Sequence, residues 1–378
     1  MILATTAVGA GFILSHPDPS SASSGPAPSC LSADSQVADP TAPHGEFVLQ
    51  PPTGPHNPLY ADVQTYLLHN PVLCGADFWI PWSTVESGTI AQPVFNFSGI
   101  DGNSAPWIAA GKVVNYIFQI TGSSPQSGYL PSGFASDLPT FACNGSAVTP
   151  VEWNATFESA YQAFIAAAVH HYDHMPGIGY LRFGLGYSGE VYPVQNLNAP
   201  SCQSELASLG FTVDAWNTYV TSMLTFEHGL DPTVQLMSAP APITWGVSNN
   251  ASSVATAAAA ADGVGIGNEG FIFNDTTAVQ PDGIGCGGHG WCQQFWQYAG
   301  TVPLELQPLT PTSPNGSGPT GSLVALLPFG LSQHAQIFEL HLGDWLIAFD
   351  PAYPGYLPYH TAYAQVLTQG AYVVGMSA

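Results

Sequence analysis

The segment ATFESAYQAFIAAAVHHYDHMPGIGYLRFGLGYSGE, residues 155–190, gives the clearest indication of the fold. Its first half places apolar side chains at the i, i+4, i+7 and i+11 positions of a helix over Ala155–Tyr172, with Asn154 as the N-cap. Its second half is an apolar strand, Gly179–Leu185, which runs into a glycine-rich turn ending at Glu190. A helix followed at once by a buried strand is one unit of an alternating α/β fold.

The same alternation extends over the chain from about residue 45. Seven more apolar runs have strand character: Phe47–Gln50, Leu73–Pro81, Val113–Ile120, Val234–Ser238, Gly263–Ile266, Val302–Leu306 and Gln336–Leu340. Helices are predicted between them at Leu59–Leu68 and at 212–228, 250–262, 288–299, 320–331 and 358–369. Eight such units predict a (β/α)8 TIM barrel. The alternative, a doubly wound sheet, lacks a glycine-rich phosphate turn after its first strand.

The N-terminal part of the chain differs in composition from the rest. Residues 1–14 are apolar but are too few to span a bilayer, so we interpret them as a signal-peptide remnant or a short membrane anchor. The alternative is a buried first helix. Residues 15–44 are rich in Ser, Pro and Ala, which predicts a linker, and 45–378 form the predicted catalytic barrel.

The charge balance restricts the environment and the partners. The 378 residues include 25 acidic and only two basic side chains, Lys112 and Arg182, giving a formal net charge of -23. No basic surface can therefore form for nucleic acid or for an anionic membrane. Charged residues make up 7% of the chain, too few for a salt-adapted surface. A chain with almost no Lys or Arg avoids positive self-repulsion at low pH, so we predict an acidic environment, although the twelve His would still charge there.

The cysteines and the glycosylation sequons favour a secreted or cell-surface protein. Six cysteines and six N-x-S/T sequons suit an oxidising compartment. Cys286 and Cys292 flank His289, which predicts a small disulfide loop rather than a zinc site. The histidines at 170, 171 and 174 come at the end of a helix and before strand four. They therefore lie at the end of the barrel opposite the C-terminal ends of the strands. We therefore predict no metal and no cofactor.

Carboxylates and tryptophans concentrate at the C-terminal ends of the predicted strands, where TIM barrels place their chemistry. These strand ends contain Asp77, Trp79, Trp82, Gln119, Ser188, Gly189, Glu190, Asn268, Glu269, Glu305, Gln307, Glu339, His341, Asp344 and Trp345. Aromatic rings stack on sugars, and paired carboxylates supply acid and base to a glycosidic bond. The pattern predicts a carbohydrate substrate.

Two of these carboxylates are the predicted catalytic pair. Glu190 ends a strand whose glycines would let a ligand approach the backbone. Glu305 lies between two leucines, where an unpaired charge is costly unless it faces a functional cavity. The predicted substrate-binding residues are Asp77, Trp79, Trp82, Gln119, Asn268, Glu269, Gln307, Glu339 and Trp345. The alternatives are solvated loop carboxylates and core tryptophans.

Arg182, the only arginine, has a predicted structural and electrostatic role. The period of a strand places residues 182 and 190 on the same face, so the guanidinium should point into the barrel with Glu190. A buried guanidinium needs a carboxylate partner, and Asp77, Glu46, Glu305 and Glu339 are the predicted options. The alternative is an arginine on the surface.

The segments CGADFWIPWSTVE (74–86), FNFSGID (95–101) and GKVV (111–114) resemble strands two and three of the microbial β-galactosidases of the retaining glycoside hydrolase clan. That resemblance implies an acid/base glutamate after strand four and a nucleophilic glutamate on strand seven, which correspond to Glu190 and Glu305. The clan has asparagine directly before the strand-four glutamate, whereas this chain has Gly189.

The segment GLGYSGEVYP (184–193) resembles the G-L-G-P-A-G-E-L-R-Y-P run of β-amylases, one residue shorter, and residues 79–86 are similar to their W-W-G-I-I-E strand. β-Amylases are inverting, so this second resemblance implies a different stereochemistry with the same acid. We predict a secreted, acid-adapted hydrolase that cleaves β-glycosidic bonds with retention. The alternatives are an inverting β-amylase-like enzyme and an inactive barrel that binds glycans.

Overall fold

The computed structural model describes residues 30, 43–122, 128–143, 148–194, 197, 199–241, 250–271, 297–318, 320–332 and 334–377. At its centre eight parallel strands form a closed barrel, which confirms the predicted fold. In chain order the strands are β1 Gly45–Leu49, β2 Gly75–Pro81, β3 Val113–Gln119, β4 Ile178–Phe183, β5 Gln235–Ser238, β6 Gly265–Phe271, β7 Leu304–Pro308 and β8 Ile337–His341. Each strand pairs with the next along the chain, and β8 closes on β1.

The predicted strand boundaries agree with the structure to within two residues, except at the end of β6. The apolar pattern ends that strand at Ile266, but the pairing continues to Phe271, with an irregularity after Asn268. Gly267 and Gly270 interrupt the apolar run, so hydrophobicity alone stops too early. The polar residues at this end of β6 are therefore strand residues, whose side chains have a defined direction.

Helices cover the outside of the barrel. The longer ones are Ser98–Ala109, Ala155–Tyr172, Pro200–Ser208, Val213–Gly229, Asn250–Ala261, Leu323–Ser332, Leu342–Phe349 and Tyr356–Ser377. Shorter helical segments are Tyr60–Asp62, the π-helical Val63–Leu67, Trp82–Thr84 and Phe134–Asp137. The Asn154 side chain accepts hydrogen bonds from Thr156 N and Phe157 N, which confirms the predicted cap. Of the predicted helix 288–299, residues 288–296 lie outside the described residues.

Two small hairpins extend the strand–helix connections. One pairs Glu86–Thr89 with Gln92–Phe95, and the other pairs Thr140–Phe141 with Thr149–Pro150. The strand alternation directs one set of side chains outward to the helices, where they form the main hydrophobic core. The other set points into the barrel, and that inward set builds the site.

The N-terminal end of the barrel is closed by a disulfide. Cys30, inside the predicted linker, is bonded to Cys74 at the start of β2, and its carbonyl accepts a hydrogen bond from His44 N. A second disulfide joins Cys143 to Cys202. Cys286 and Cys292 lie outside the described residues. Within the described ranges, no helix has the length and apolarity needed to cross a bilayer.

The one lysine of the chain also has a structural position at this end. Lys112 lies in the turn before β3, and its Nζ donates to the backbone carbonyls of Asn70 and Leu73. Burial lowers the pKa of this ammonium to about 8. Lys112 therefore links the turn before β3 to the loop before β2, and its ammonium is not a free surface charge.

Candidate active site

The inward-facing residues form an apolar layer, which extends from the N-terminal end of the barrel to the level of Arg182, and a polar layer that lies among and above it. The apolar layer contains Phe47, Cys74, Val113, Ile117, Tyr180, Met237 and Ile337. The polar layer contains Asp77, Asn115, Arg182, Glu305 and Glu339, which are all completely buried. Such a set of ionisable groups is costly to bury unless its members bind one another.

Arg182 is the centre of this polar layer. Its Nη1 lies 2.9 Å from Glu305 Oε2 and 3.4 Å from Glu339 Oε1, and its Nη2 binds Glu269 Oε1. Two of the four predicted partners are therefore bound directly, together with Glu269, which was not among them. Glu46 is not a partner, because it alternates with the inward-facing Phe47 and points outward to Gly370 of the C-terminal helix.

Tyr180 and Asn115 hold the acidic residues on the other side of the barrel. The Tyr180 hydroxyl donates to Glu339 and lies 3.4 Å from Asp77 Oδ1. Asn115 Nδ2 donates to Asp77 Oδ1 at 2.6 Å, and its Oδ1 accepts from Tyr180 N at 3.0 Å. Sequence reasoning missed both residues, although the same strand period that placed Arg182 inward also places them inward.

Four carboxyl groups in this interior share one guanidinium. Burial raises the pKa of Asp77, Glu305 and Glu339, while the positive charge of Arg182 opposes the shift. Burial also raises the pKa of Glu269, to about 7. Because one cation cannot neutralise four carboxylates, the cluster retains protons at acidic pH.

Glu190 lies on a loop that crosses the C-terminal ends of β3 and β5. Ser188 N donates to Thr121 O beyond β3, and Val191 N donates to Ala239 O beyond β5. The glycines of this loop serve its own packing. A Cβ on Gly184 would lie 2.7 Å from the Cα of Gly189. This corrects the expectation that the glycines admit a ligand, because neighbouring backbone already fills that space.

Glu190 itself is partly exposed at the barrel mouth. Burial raises the pKa of its carboxyl well above the ordinary value, and the negative charge of Glu269 raises it further. Arg182 acts in the opposite direction. A raised pKa beside a second carboxylate lets Glu190 hold its proton to higher pH than a free glutamate, which is what a general acid requires.

Three more predicted binding residues line the mouth. Trp79, Gln119 and Gln307 occupy inward positions of β2, β3 and β7. The indole Nε1 of Trp79 and the Oε1 of Gln307 are buried and have no hydrogen-bond partner within the described part of the chain. A donor and an acceptor directed into the mouth are the groups needed to bind sugar hydroxyls.

Two of the predicted tryptophans belong to the core instead. Trp82 is fully buried between strands and helices, in contact with the rings of Phe134 and Tyr161, and its Nε1 donates to Glu86. Trp345 is also fully buried, stacked on Phe349 of its own helix. Neither ring can reach a sugar, because both lie on the helix side of the barrel wall.

The remaining strand-end residues have structural contacts. Asn268 alternates with Glu269, so it faces the helix side of β6, where its Oδ1 accepts from Gly270 N. His341 Nε2 donates to Pro308 O at 2.9 Å. Asp344 is buried and accepts from the backbone N and hydroxyl of Thr312. Asn268 is therefore not placed to bind substrate.

The histidine cluster of the sequence does not form a metal site in the structure. His171 lies 3.0 Å from Asp101 Oδ2 and stacks on Phe97 at the end of its helix. Among the residues that the structure describes, no three His, Cys, Asp or Glu side chains are arranged to hold a metal ion.

Comparison with known proteins identifies solved structures that have the same fold. No protein-family profile and no curated protein sequence matches the chain. A GH10 xylanase from Bispora sp. MEY-1, solved with xylobiose, matches 86% of this chain and 95% of its own with a TM-score of 0.51 and 14% identity. The chain shares the TIM-barrel fold of this xylanase.

Two other solved structures match less closely. A GH10 xylanase from Gloeophyllum trabeum has a TM-score of 0.49 and 16% identity, over 86% of this chain and 97% of its own. The β-amylase catalytic domain from Paenibacillus polymyxa has a TM-score of 0.45 and 15% identity, over 88% of this chain and 90% of its own.

Proposed function

We propose that the protein is a glycoside hydrolase that cleaves β-glycosidic bonds of an oligo- or polysaccharide outside the cell. The observation that carries the proposal is Glu190, a partly exposed carboxyl at the barrel mouth, whose pKa is raised by burial and by a neighbouring carboxylate. An acid and a carboxylate side by side are the two groups that glycoside hydrolysis requires. The two disulfides suit an oxidising, extracellular environment.

In this mechanism Glu190 is the general acid. Its proton passes to the glycosidic oxygen while the bond between that oxygen and the anomeric carbon breaks, and the bonding electrons leave with the oxygen. A second carboxylate of the Arg182 cluster bonds to the anomeric carbon. A water molecule, deprotonated by the Glu190 carboxylate, then displaces it. The sequence resemblance assigns the second role to Glu305.

An inverting reaction is the second candidate, because the Glu190 loop resembles that of β-amylases. There the second carboxylate would deprotonate a water molecule instead of bonding to the sugar. Following the configuration of the first-formed product by NMR separates the two reactions. Retention is the expected result.

Activity should be greatest in acid. Glu190 acts only while protonated, so the rate should fall as the pH rises through its raised pKa, and it should also fall at low pH, where the second carboxylate becomes protonated. The optimum is measured by following hydrolysis of a glycan panel between about pH 2 and pH 7. An optimum at neutral pH would contradict the proposed acid adaptation.

The experiment that tests the function compares two variants with the parent protein on this panel. Glu190→Gln removes the acid, and hydrolysis should fall by about 10²- to 10⁴-fold. Glu158→Gln, on the outside of the barrel, is the matched control and should keep the parent rate. A parent protein that binds glycans without cleaving any would instead favour the inactive glycan-binding barrel.

A further inference from the structure

We infer that Glu269 on β6, rather than Glu305 on β7, is the carboxylate that acts with Glu190 on the substrate, and that Glu305 positions Arg182. The inference rests on the proposed hydrolysis and names a residue for its second role. Three features of the barrel support it: the register of β6 and β7, the side chains around each carboxyl, and the charge that acts on Glu190.

The register places the two carboxylates at different depths. Glu305 is paired with Gly267 of β6 and with Ile337 of β8, a member of the apolar layer. Glu269 lies two residues beyond Gly267 toward the C-terminal end, which corresponds to about 7 Å along a strand. Substrate enters a TIM barrel from that end, so it meets Glu269 first.

The surroundings of Glu305 shut it off from the mouth. Its carboxyl is 0% exposed, and Oε2 bonds to Arg182. A Cβ on Gly267 would overlap Glu305 Oε2 and would lie 3.2 Å from Arg182 Nη1. The glycine thus leaves space for the Arg182–Glu305 pair itself. A sugar ring could reach Glu305 Oε2 only by displacing that ion pair, while Oε1 is buried and has no hydrogen-bond partner among the described residues.

Glu269 is also buried and bound to Arg182, but it contacts the loop that carries Glu190. It is 8% exposed, and a Cβ on Gly189 would lie 3.7 Å from its Oε1. The carboxyl therefore packs beside the backbone of the residue that precedes Glu190. Asparagine at position 189 would be strained, because the backbone φ there is +86°. A Cβ there would also lie 2.9 Å from Ile117 Cγ2, so glycine at position 189 is required by the backbone of the Glu190 loop and by its packing on β3.

The charges indicate the same pair. Apart from burial, the negative charge that raises the pKa of Glu190 is that of Glu269, while Glu305 responds chiefly to Glu339 and Arg182. Arg182 binds Glu269 through Nη2 and Glu305 through Nη1. The guanidinium is therefore bound by Glu305 through one nitrogen and by Glu269 through the other, and its charge opposes the rise in the pKa of Glu269 that burial causes.

Chemical rescue distinguishes the two residues. Glu269→Gly and Glu305→Gly are each assayed with a 2,4-dinitrophenyl β-glycoside of the sugar that the parent protein cleaves, with and without sodium azide, at about pH 6, where azide is ionised. In Glu269→Gly, azide fits the vacated space and bonds to the anomeric carbon, while the bond to the dinitrophenolate oxygen breaks and its electrons leave with that oxygen. The product is a glycosyl azide of inverted configuration, whether the parent enzyme retains or inverts.

The expected result is that Glu269→Gly loses about 10³-fold or more of the parent rate and regains turnover with azide. Glu305→Gly should not respond to azide, because its carboxyl site is closed by Arg182. Glu305→Gln, which keeps the shape of the side chain, should shift the pH profile of kcat/KM, since it removes a charge beside Arg182. Glu152→Gln, a buried carboxyl outside the barrel, should leave the profile unchanged.

Other outcomes would overturn the inference. Azide rescue of Glu305→Gly without rescue of Glu269→Gly would return the role to Glu305. If Glu269→Gly fails to fold, the isosteric Glu269→Gln still tests the residue, because a parent-like rate in that variant excludes it. A parent protein that hydrolyses no member of the glycan panel overturns the proposed function and this inference together, whereas an active parent with an active Glu269→Gln overturns this inference alone.

Discussion

Buried carboxyl groups occur in two regions of this protein, inside the barrel and between the barrel and its helices. Inside, Glu269, Glu305 and Glu339 bind Arg182. Outside, Glu46, Glu152 and Glu227 are equally buried, and none of them has a salt-bridge partner within the described ranges. Both Glu46 carboxylate oxygens lack even a hydrogen-bond partner there.

The two regions differ in what offsets the energetic cost of burying each carboxyl. Inside the barrel, Arg182 and several hydrogen bonds oppose the effect of burial on the pKa. Outside, burial raises the pKa of Glu46 and Glu227 with nothing to oppose it. An unpaired buried carboxylate costs several kcal/mol, so the outer groups are compatible with the fold only when protonated. The outer region therefore favours acid strongly, whereas Arg182 compensates the burial of the inner carboxyls in part.

The largest predicted effect is a loss of stability toward neutral pH. The folded-state pKa of Glu46, Glu152 and Glu227 is raised above the unfolded value of about 4.3, so the folded chain binds more protons than the unfolded chain. The stabilisation that these three carboxyls give to the folded state is complete below about pH 4.3. As the pH rises above that value, each group lowers the free energy of unfolding by about 1.4 kcal/mol per pH unit. Thermal melts between about pH 3 and pH 7 should show a falling Tm. A Tm that rises toward neutral pH would contradict the claim that the outer carboxyls are protonated in the folded protein.

Removal of the guanidinium should have the next largest effect. Arg182→Ala leaves the inner carboxylates without a cation, which should cost about 3–5 kcal/mol and abolish hydrolysis. Arg182→Lys keeps the charge but cannot bind several carboxylates through a planar fork, so activity should still be lost. Urea unfolding and the hydrolysis assay measure both effects. Wild-type behaviour of both variants would show that Arg182 is incidental.

A smaller effect is expected for Tyr180→Phe. The change removes the donor to Glu339 and leaves a buried carboxyl short of a hydrogen bond, at a cost of about 1–3 kcal/mol. Tyr60→Phe, in a partly exposed helix, is the control and should unfold at the parent urea concentration. Equal midpoints for the two variants would show that Arg182 compensates Glu339 without help from Tyr180.

The smallest effect sharpens the comparison at a single outer residue. Glu227→Gln removes one titrating group, so the slope of unfolding free energy against pH should become shallower by about 1.4 kcal/mol per pH unit above about pH 5. Asp214→Asn, an exposed residue on the same helix, should leave that slope unchanged. An unchanged slope in Glu227→Gln would mean that this carboxyl is not protonated in the folded protein.

The fold was predictable because hydrophobic alternation identifies each strand and helix without knowledge of its neighbours. The inward direction of Arg182 followed from the two-residue period of β4 in the same way. The depth of Glu305 relative to Glu269 could not be predicted from the strand period. It depends on the register between β6 and β7, which no local sequence pattern encodes. The positions of Trp82 and Trp345 soon after strand ends predict a place in the site. Each begins or joins a helical segment, however, and that turns its ring to the barrel exterior.

The lysine and the arginine of the chain are both engaged in internal contacts. This determines how the protein reacts with proteases and labels that recognise lysine or arginine. Proteases that cleave after lysine or arginine have only the bonds following Lys112 and Arg182 as targets, and the second side chain is 0% exposed inside the barrel. The Lys112 ammonium is occupied by two carbonyls at the start of β3. The native protein should therefore survive trypsin, and amine-directed dyes or resins should react little with Lys112. Peptide mapping of the protein accordingly needs a protease that cleaves at other residues, such as chymotrypsin at the 44 Phe, Tyr and Trp side chains.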